Sequence, residues 1–155
     1  MDEITFRKYT SEDASLFKSL NIEWLEKYFV VEPIDELVLS NPQTEILDKG
    51  GFILMAEFNK KVIGTFAFIK KEELLYEFSK MAIQPSYRGK GYGNTMIQFA
   101  ISFAEQHHWK KIILYSNTLL ENSIHLYRKY GFIEVPMEEQ VLYSRGNIKM
   151  ELNLN

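Results

Sequence analysis

The hydrophobic residues of the N-terminal third recur with two different periods. Residues 4–9 alternate between the two faces of an extended chain, which indicates a short strand. Leu16, Leu20 and Trp24 then recur every four residues, which is the spacing of one helix face. Residues 34–39 can form a further short helix before the chain reaches the next strand-like region. This part of the chain therefore predicts a strand followed by one or two helices.

The middle of the chain has the pattern of an antiparallel sheet. Residues 52–58 and 62–69 are rich in aliphatic and aromatic side chains, and the polar segment 59–61 between them is typical of a hairpin turn. Residues 74–83 form another run of this kind. Pro85 ends it, because proline has no N–H to donate to a strand ladder. We therefore predict three consecutive antiparallel strands.

The C-terminal half returns to alternating helices and strands. The predicted elements are a helix with an apolar face over residues 96–104, a buried strand at 110–116, a helix at 119–130, and strands at 132–135 and 147–154. Gly131 suits the position that follows a helix C-terminus. The complete order predicts a mixed α/β fold in a single domain over residues 1–155, without a regular strand–helix repeat.

Composition excludes several classes of protein. The 155 residues are 46% hydrophobic with a formal net charge of −3, whereas a general nucleic-acid binder is usually basic. The absence of cysteine excludes disulfides, a cysteinyl acyl-enzyme and thiolate metal sites. His107 and His108 are adjacent on a predicted helix and diverge, so we predict no metal site. No apolar run approaches the roughly 20 residues that span a bilayer, and the N-terminus lacks signal-peptide features. We expect a cytoplasmic protein that binds neither nucleic acid nor membrane.

Three alternating glycines stand where a strand gives way to a helix. The segment is Arg88-Gly89-Lys90-Gly91-Tyr92-Gly93. Glycine lets an anion approach the backbone N–H groups at a helix start, where the helix dipole adds partial positive charge. Arg88 and Lys90 add cationic donors. The segment therefore favours a phosphate or pyrophosphate, and the alternative is a glycine-rich turn without a ligand.

The spacing of these glycines excludes two common nucleotide-binding motifs. A dinucleotide fingerprint requires a third glycine three residues on, but Asn94 and Met96 occupy those positions. A P-loop requires glycine where Gln84 stands and Ser or Thr where Gly91 stands. An anion site at this segment would therefore be a different kind of loop from either motif.

Two segments of the chain resemble the GNAT family of N-acetyltransferases. The pattern Arg88-x-x-Gly91-x-Gly93, preceded by a strand, resembles the acetyl-CoA-binding motif of that family, and residues 126–132 resemble its second signature. The order of strands and helices also matches. The resemblance implies a three-layer fold whose central, mostly antiparallel sheet has parallel strands 4 and 5 splayed around acetyl-CoA, with about four flanking helices. It is also compatible with a homodimer.

The resemblance assigns residues to the donor acetyl-CoA. The strand before the loop would pair with the pantetheine arm through the main chain of Met81, Ala82 and Ile83. The residues that would hold the pyrophosphate are Arg88, Gly89, Lys90, Gly91, Tyr92 and Gly93. Many relatives have an asparagine seven residues before the tyrosine of the second signature, where this chain has Leu120. We assign its contact to Asn117, at the end of the preceding strand.

The resemblance also implies two catalytic residues. Tyr127 matches a tyrosine that family members place near the thioester sulfur, where it acts as hydrogen-bond donor and general acid. The alternative is a core aromatic. Glu77 lies four residues before Met81, where some members have a general base, and equal parity predicts that both side chains face one side of the strand. An ion pair with Lys80 or a neighbouring strand explains Glu77 equally well.

The only indication of the acceptor in the sequence is the charge of the regions that would bind it. In this family the first two helices and the last strands build the acceptor site, and those regions are acidic here: Glu23, Glu26, Glu32, Asp35, Glu36, Glu134, Glu138 and Glu139. Acidic side chains suit a cationic amine such as a polyamine, aminoglycoside-like or lysine-type acceptor, and the alternative is a solvated acidic surface. The leading hypothesis is transfer of acetyl to a primary amine of a small molecule or peptide by direct attack. A catalytically silent CoA-binding module and a transferase of longer acyl groups remain alternatives.

Overall fold

The computed structural model describes residues 3–139 and 145–154. A seven-stranded sheet with the order β1-β2-β3-β4-β5-β7-β6 forms its centre. The strands are β1 Thr5–Lys8, β2 Phe52–Phe58, β3 Lys61–Glu72, β4 Leu75–Ile83, β5 Lys111–Ser116, β6 Ile133–Val135 and β7 Ile148–Asn153. The helices are α1 Ala14–Tyr28, α2 Pro33–Ser40, α3 Tyr92–Gln106 and α4 Glu121–Lys129, with single turns of other helix types at Ser11–Asp13, Gln43–Leu47 and Pro85–Tyr87. These elements agree with the predicted order.

The hairpin between β2 and β3 is set by a two-residue turn. Asn59 and Lys60 have φ of 51° and 65°, and Phe58 pairs with Lys61 across the turn. Left-handed conformations at both central residues match the twist of the flanking strands, and asparagine tolerates them well. The turn fixes the register as far as Glu57 opposite Val62, and a bulge between Ala56 and Glu57 then shifts it by one residue, so that Phe52 lies opposite Phe68.

Helices cover both faces of the sheet and enclose two clusters of buried side chains. On one face, Phe66 and Phe68 pack with Met96 of α3 and Tyr127 of α4. On the other face, a second cluster joins α1 and α2 to the sheet; its members include Phe17, Leu39, Met55 and Ala67. Two helical layers around one sheet confirm the predicted three-layer architecture. Within residues 3–139 and 145–154, each helix is too short or too polar to cross a bilayer.

The parallel strands β4 and β5 part after a short contact. They pair only where Leu75–Glu77 meets Lys111–Ile113, although β4 continues to Ile83 and β5 to Ser116. All other neighbouring strands are antiparallel. The splay predicted from the resemblance is confirmed, and it leaves one edge of β4 unpaired by β5 beyond Glu77.

A β-bulge in β4 corrects one prediction. Opposite β3, the register shifts between Ser79 and Ala82, and Lys80 within this shift has φ of 56°. The extra residue reverses the alternation, so Ala82 packs with the α1 and α2 cluster while Met81 packs with the α3 and α4 cluster. The prediction that Glu77 and Met81 face the same side of β4 assumed regular alternation between them, and the bulge makes that assumption wrong.

Candidate active site

The cleft between β4 and β5 continues between the helices. It encloses about 960 Å³ of space, counting the part that is open to solvent. Glu77 and Met81 of β4 both line it, as does Tyr127 of α4. Trp24 of α1 and Asp35 of α2 close it from the opposite face of the sheet. The splay thus brings together side chains from four elements that are distant in the sequence.

The glycine loop has the geometry expected of an anion site. Gly89 and Gly91 have φ of 75° and 84°, which L side chains rarely adopt, and a Cβ at either would meet no atom within 4 Å. Gly91 is the N-cap of α3 and has no side chain that could accept a hydrogen bond from the first N–H groups of that helix. These backbone donors and the positive end of a 15-residue helix fit a phosphate group. Glycine is therefore needed at Gly89 and Gly91 because of the positive φ, and not because a side chain would lack space.

The side chain of Arg88 turns from this loop toward α1. Its Nη2 donates to a carboxylate oxygen of Glu23, and its guanidinium carbon lies 5.9 Å from the centre of the Tyr28 ring. Its Nε and Nη1 are buried without a hydrogen-bond partner among the described residues. Lys90 is exposed, with Nζ 5.7 Å from the centre of the Tyr87 ring. The backbone of the loop, more than the Arg88 guanidinium, faces open space.

One edge of β4 is available to an extended ligand. Ala82 and Ile83 pair with Thr65 and Gly64 of β3, which uses the opposite edge. The Ala82 side chain is buried, so the backbone is what this segment can offer to the cleft. An unpaired strand edge accepts an extended chain as an added strand, and this fits the predicted role of residues 81–83.

Tyr127 is buried between α4 and the sheet and lines the cleft. Its ring centre lies 5.8 Å from that of Phe132, and burial raises the pKa of its phenol to about 12. The phenol is therefore protonated at neutral pH and can donate a hydrogen bond. Tyr127 belongs to the core cluster and also lines the cleft, and its part in the chemistry stays a prediction.

Glu77 is nearly enclosed by protein. Burial raises the pKa of its carboxyl group, whereas the charges of Lys71 and Lys80 oppose the rise. Lys71 Nζ lies 3.6 Å from Glu77 Oε1. Because Lys71 belongs to β3, Glu77 forms the ion pair with a neighbouring strand that was the alternative interpretation. The carboxyl group nevertheless lines the cleft, where it can accept a proton.

Asn117 lines the cleft and ties two loops together. Its amide nitrogen donates to the carbonyl of Arg145 at 2.7 Å, and its amide oxygen accepts the N–H of Leu119 at 2.8 Å. Thr118 N–H donates to the side chain of Asn147 at 2.9 Å. Much of the bonding capacity of Asn117 therefore shapes the β5–α4 connection.

Sequence reasoning missed a buried ion pair beside the cleft. Arg145 donates to both carboxylate oxygens of Asp35, at 2.7 and 2.9 Å, and to Glu32 at 3.0 Å. Asp35 has no exposed surface and also accepts the backbone N–H of Glu32. The capping pattern at the start of α2 could have identified Asp35 as a structural residue. Nothing in the sequence connects it to Arg145, which is 110 residues away.

The acidic regions are largely neutralised by basic side chains. Among the described residues, six of the eight predicted acidic residues form ion pairs: Glu23 with Arg88, Glu32 and Asp35 with Arg145, Glu36 with Lys18, Glu134 with Arg128, and Glu138 with Lys149. Lys80 also lines the cleft, and burial lowers the pKa of its ammonium group to about 8. The charge of the cleft is therefore more balanced than the sequence suggests.

Comparison with known proteins identifies the family. Residues 16–132 match the model of the acetyltransferase (GNAT) family, so the chain belongs to this family and is an acetyltransferase. No curated protein matches the chain. The glycine loop, β4 and Tyr127 all lie within the matched residues.

Solved structures share the fold along almost the whole chain. A GNAT-family acetyltransferase from Staphylococcus aureus Mu50 has 19% identity and a TM-score of 0.84, covering 99% of this chain and 100% of that one. The protein yncA from Salmonella typhimurium, solved with its cofactor acetyl-CoA, has 20% identity and a TM-score of 0.73, with coverages of 99% and 95%. Spermidine N-acetyltransferase from Vibrio cholerae, in complex with CoA and spermine, has 25% identity and a TM-score of 0.73, with coverages of 97% and 95%.

Proposed function

We propose that this single-domain protein transfers acetyl from acetyl-CoA to a primary amine by direct attack in a ternary complex. One observation carries the proposal: β4 and β5 separate after Glu77 into a cleft that Tyr127 lines, and the chain continues from β4 into a glycine loop at the start of α3. A structural neighbour was solved with its cofactor acetyl-CoA, which supports the same donor here.

The donor would be held mainly by backbone groups. The main chain of Met81, Ala82 and Ile83 offers an open strand edge to an extended pantetheine arm. The N–H groups from Gly89 to Gly93 offer a concave, positively polarised surface to the pyrophosphate. Because neither role needs a particular charged side chain, the contact between Arg88 and Glu23 is compatible with donor binding.

Glu77 and Tyr127 would divide the proton transfers between them. An amine with an ordinary pKa near 10 must lose a proton before it attacks, and Glu77 is the carboxyl group in the cleft that can accept it. Tyr127 would donate a hydrogen bond to the departing sulfur. With a phenol pKa of about 12 against about 8.5 for a thiol, complete transfer from Tyr127 is uphill by about 5 kcal/mol. Tyr127 therefore stabilises the thiolate as a donor, and the proton released by the amine restores the balance.

Two measurements test this function. Acetyl-CoA at 100 times its dissociation constant should stabilise the fold by about 2.7 kcal/mol, or roughly 5–10 °C in melting temperature. A panel of primary amines should then release CoA thiol. No thermal shift would contradict donor binding. A shift without thiol release would indicate a silent binding module, and release only with longer acyl-CoA donors would indicate a different acyl group.

A further inference from the structure

We propose that the acceptor is a primary amine on an apolar body that carries no second positive charge. The inference rests on the proposed function and concerns the same cleft. It departs from a polyamine-like acceptor because of two features of the lining: an aromatic and aliphatic wall, and carboxylates that already have basic partners.

The apolar wall comes from α1, α2 and the start of α4. Trp24 lines the cleft with its ring 5.7 Å from that of Phe29, which is also in the lining. Leu25, Leu39 and Leu120 extend this surface. The side chain of Trp24 is only partly buried. An alkyl or aryl group placed against this wall would remove apolar surface from water on both sides.

The charged groups in the described lining balance one another. They are Asp35, Glu77, Lys80 and Arg145. Arg145 contacts both oxygens of Asp35, and Lys71 lies 3.6 Å from Glu77 just outside the lining. A first ammonium group can give its proton to Glu77. A second one would meet Lys80 and carboxylates already compensated by cations, so its desolvation would not be offset.

A matched pair of acceptors separates apolar from cationic recognition. Hexylamine and 1,6-diaminohexane have the same length and the same reacting group, and they differ in the far end. We expect kcat/KM at pH 7.5 to be at least tenfold higher for hexylamine, after correction for the two equivalent amines of the diamine. Between butylamine and hexylamine, kcat/KM should rise about fourfold for each methylene that is buried.

The outcomes distinguish the inference from the function on which it rests. An equal or higher kcat/KM for the diamine, or a flat alkylamine series, would overturn the inference and leave amine acetylation intact. No thiol release with any amine in the panel would overturn both.

Two variants test whether the preference for an apolar amine arises in the cleft. Trp24→Ala should lower kcat/KM for hexylamine about tenfold, with little change for ethylamine and for the KM of acetyl-CoA. An equal fall in kcat/KM for ethylamine together with a raised KM for acetyl-CoA would indicate a general loss of structure and would count against the inference. Val30→Ala is the control, because Val30 is 69% exposed, lies two residues after the end of α1 and is outside the lining; it should change none of these values.

Lys80→Met tests the charge discrimination separately. It keeps a long side chain but removes the cation, so the ratio of kcat/KM for hexylamine over the diamine should fall at least threefold. An unchanged ratio would show that Lys80 does not exclude a second positive charge and would overturn this part of the inference.

Discussion

Arg145 and Asp35 form a bidentate ion pair, at 2.7 and 2.9 Å, that joins the segment before β7 to α2. Arg145 also offers its backbone carbonyl to Asn117 at the end of β5. A single residue thereby connects three parts of the cleft. The pair matters for stability as well as shape, because Asp35 is completely buried.

Removing one partner of this pair should be costly. Arg145→Met leaves the Asp35 carboxylate buried without its principal partner, and we expect a loss of about 3–5 kcal/mol in the free energy of unfolding. For a chain of this size, the melting temperature should fall by roughly 10 °C. The double variant Asp35→Asn with Arg145→Met should recover part of the loss, since it also removes the buried charge. Equal stability of the wild type and Arg145→Met, measured by urea unfolding, would contradict this account.

The general plan of the fold could be predicted from local patterns. The apolar runs of β2 and β3, the helical spacing around Leu16 and Leu20, and the glycines before α3 each depend on neighbours in the chain. The splay of β4 and β5 was predicted from the family resemblance. Periodicity alone does not give it, because it depends on where two distant strands stop pairing.

The predictions about side chains were less complete, for physical reasons. Regular alternation along β4 predicted that Glu77 and Met81 share one face. A bulge at Lys80 lies between them, and no local sequence pattern predicts a lysine with positive φ. The acidic residues were visible one by one, whereas partners such as Arg145 are set by tertiary folding. Sequence showed the charges but not their compensation.

Glu77 should control the acidic side of the pH profile. As a base it acts when ionised, so activity rises as the pH increases through its pKa. Burial raises this pKa, and the positive charge of Lys71 lowers it. Lys71→Met should therefore move the acidic limb of log kcat/KM to higher pH without abolishing activity. Glu77→Gln should lower kcat by about 100-fold or more and remove that limb.

The neighbouring ion pair between Lys70 and Glu73 provides a control for the Lys71 variant. Lys70→Met removes a positive charge from the same strand, and its partner is outside the cleft lining. It should leave the acidic limb in place. A pH profile of Lys71→Met that overlays the wild type would exclude Glu77 as the titrating base.

Tyr127→Phe should impair turnover much more than donor binding. The phenol is a single donor in a buried position, and loss of a comparable donor in other active sites costs about 100-fold in kcat. We expect the dissociation constant of CoA, measured by calorimetry, to stay within about twofold, because the ring that packs on Phe132 is retained. With a pKa of about 12, Tyr127 should also impose no alkaline limb below about pH 11. Unchanged turnover in Tyr127→Phe would remove this residue from the chemistry.

Gly91→Ala should separate the donor loop from overall stability. Gly91 has φ of 84°, so alanine would be strained there by roughly 1–2 kcal/mol even though its Cβ meets no atom within 4 Å. Relief of that strain would rotate the N–H groups at the start of α3, and we expect the KM of acetyl-CoA to rise about tenfold. Gly131→Ala is the control, since Gly131 has φ of 97° outside the loop and a Cβ there would lie 3.3 Å from Leu152 Cδ1. It should lose at least as much stability in thermal unfolding while the KM of acetyl-CoA stays unchanged. If both variants raise that KM equally, strain anywhere in the fold explains the effect, and the loop has no special role in donor binding.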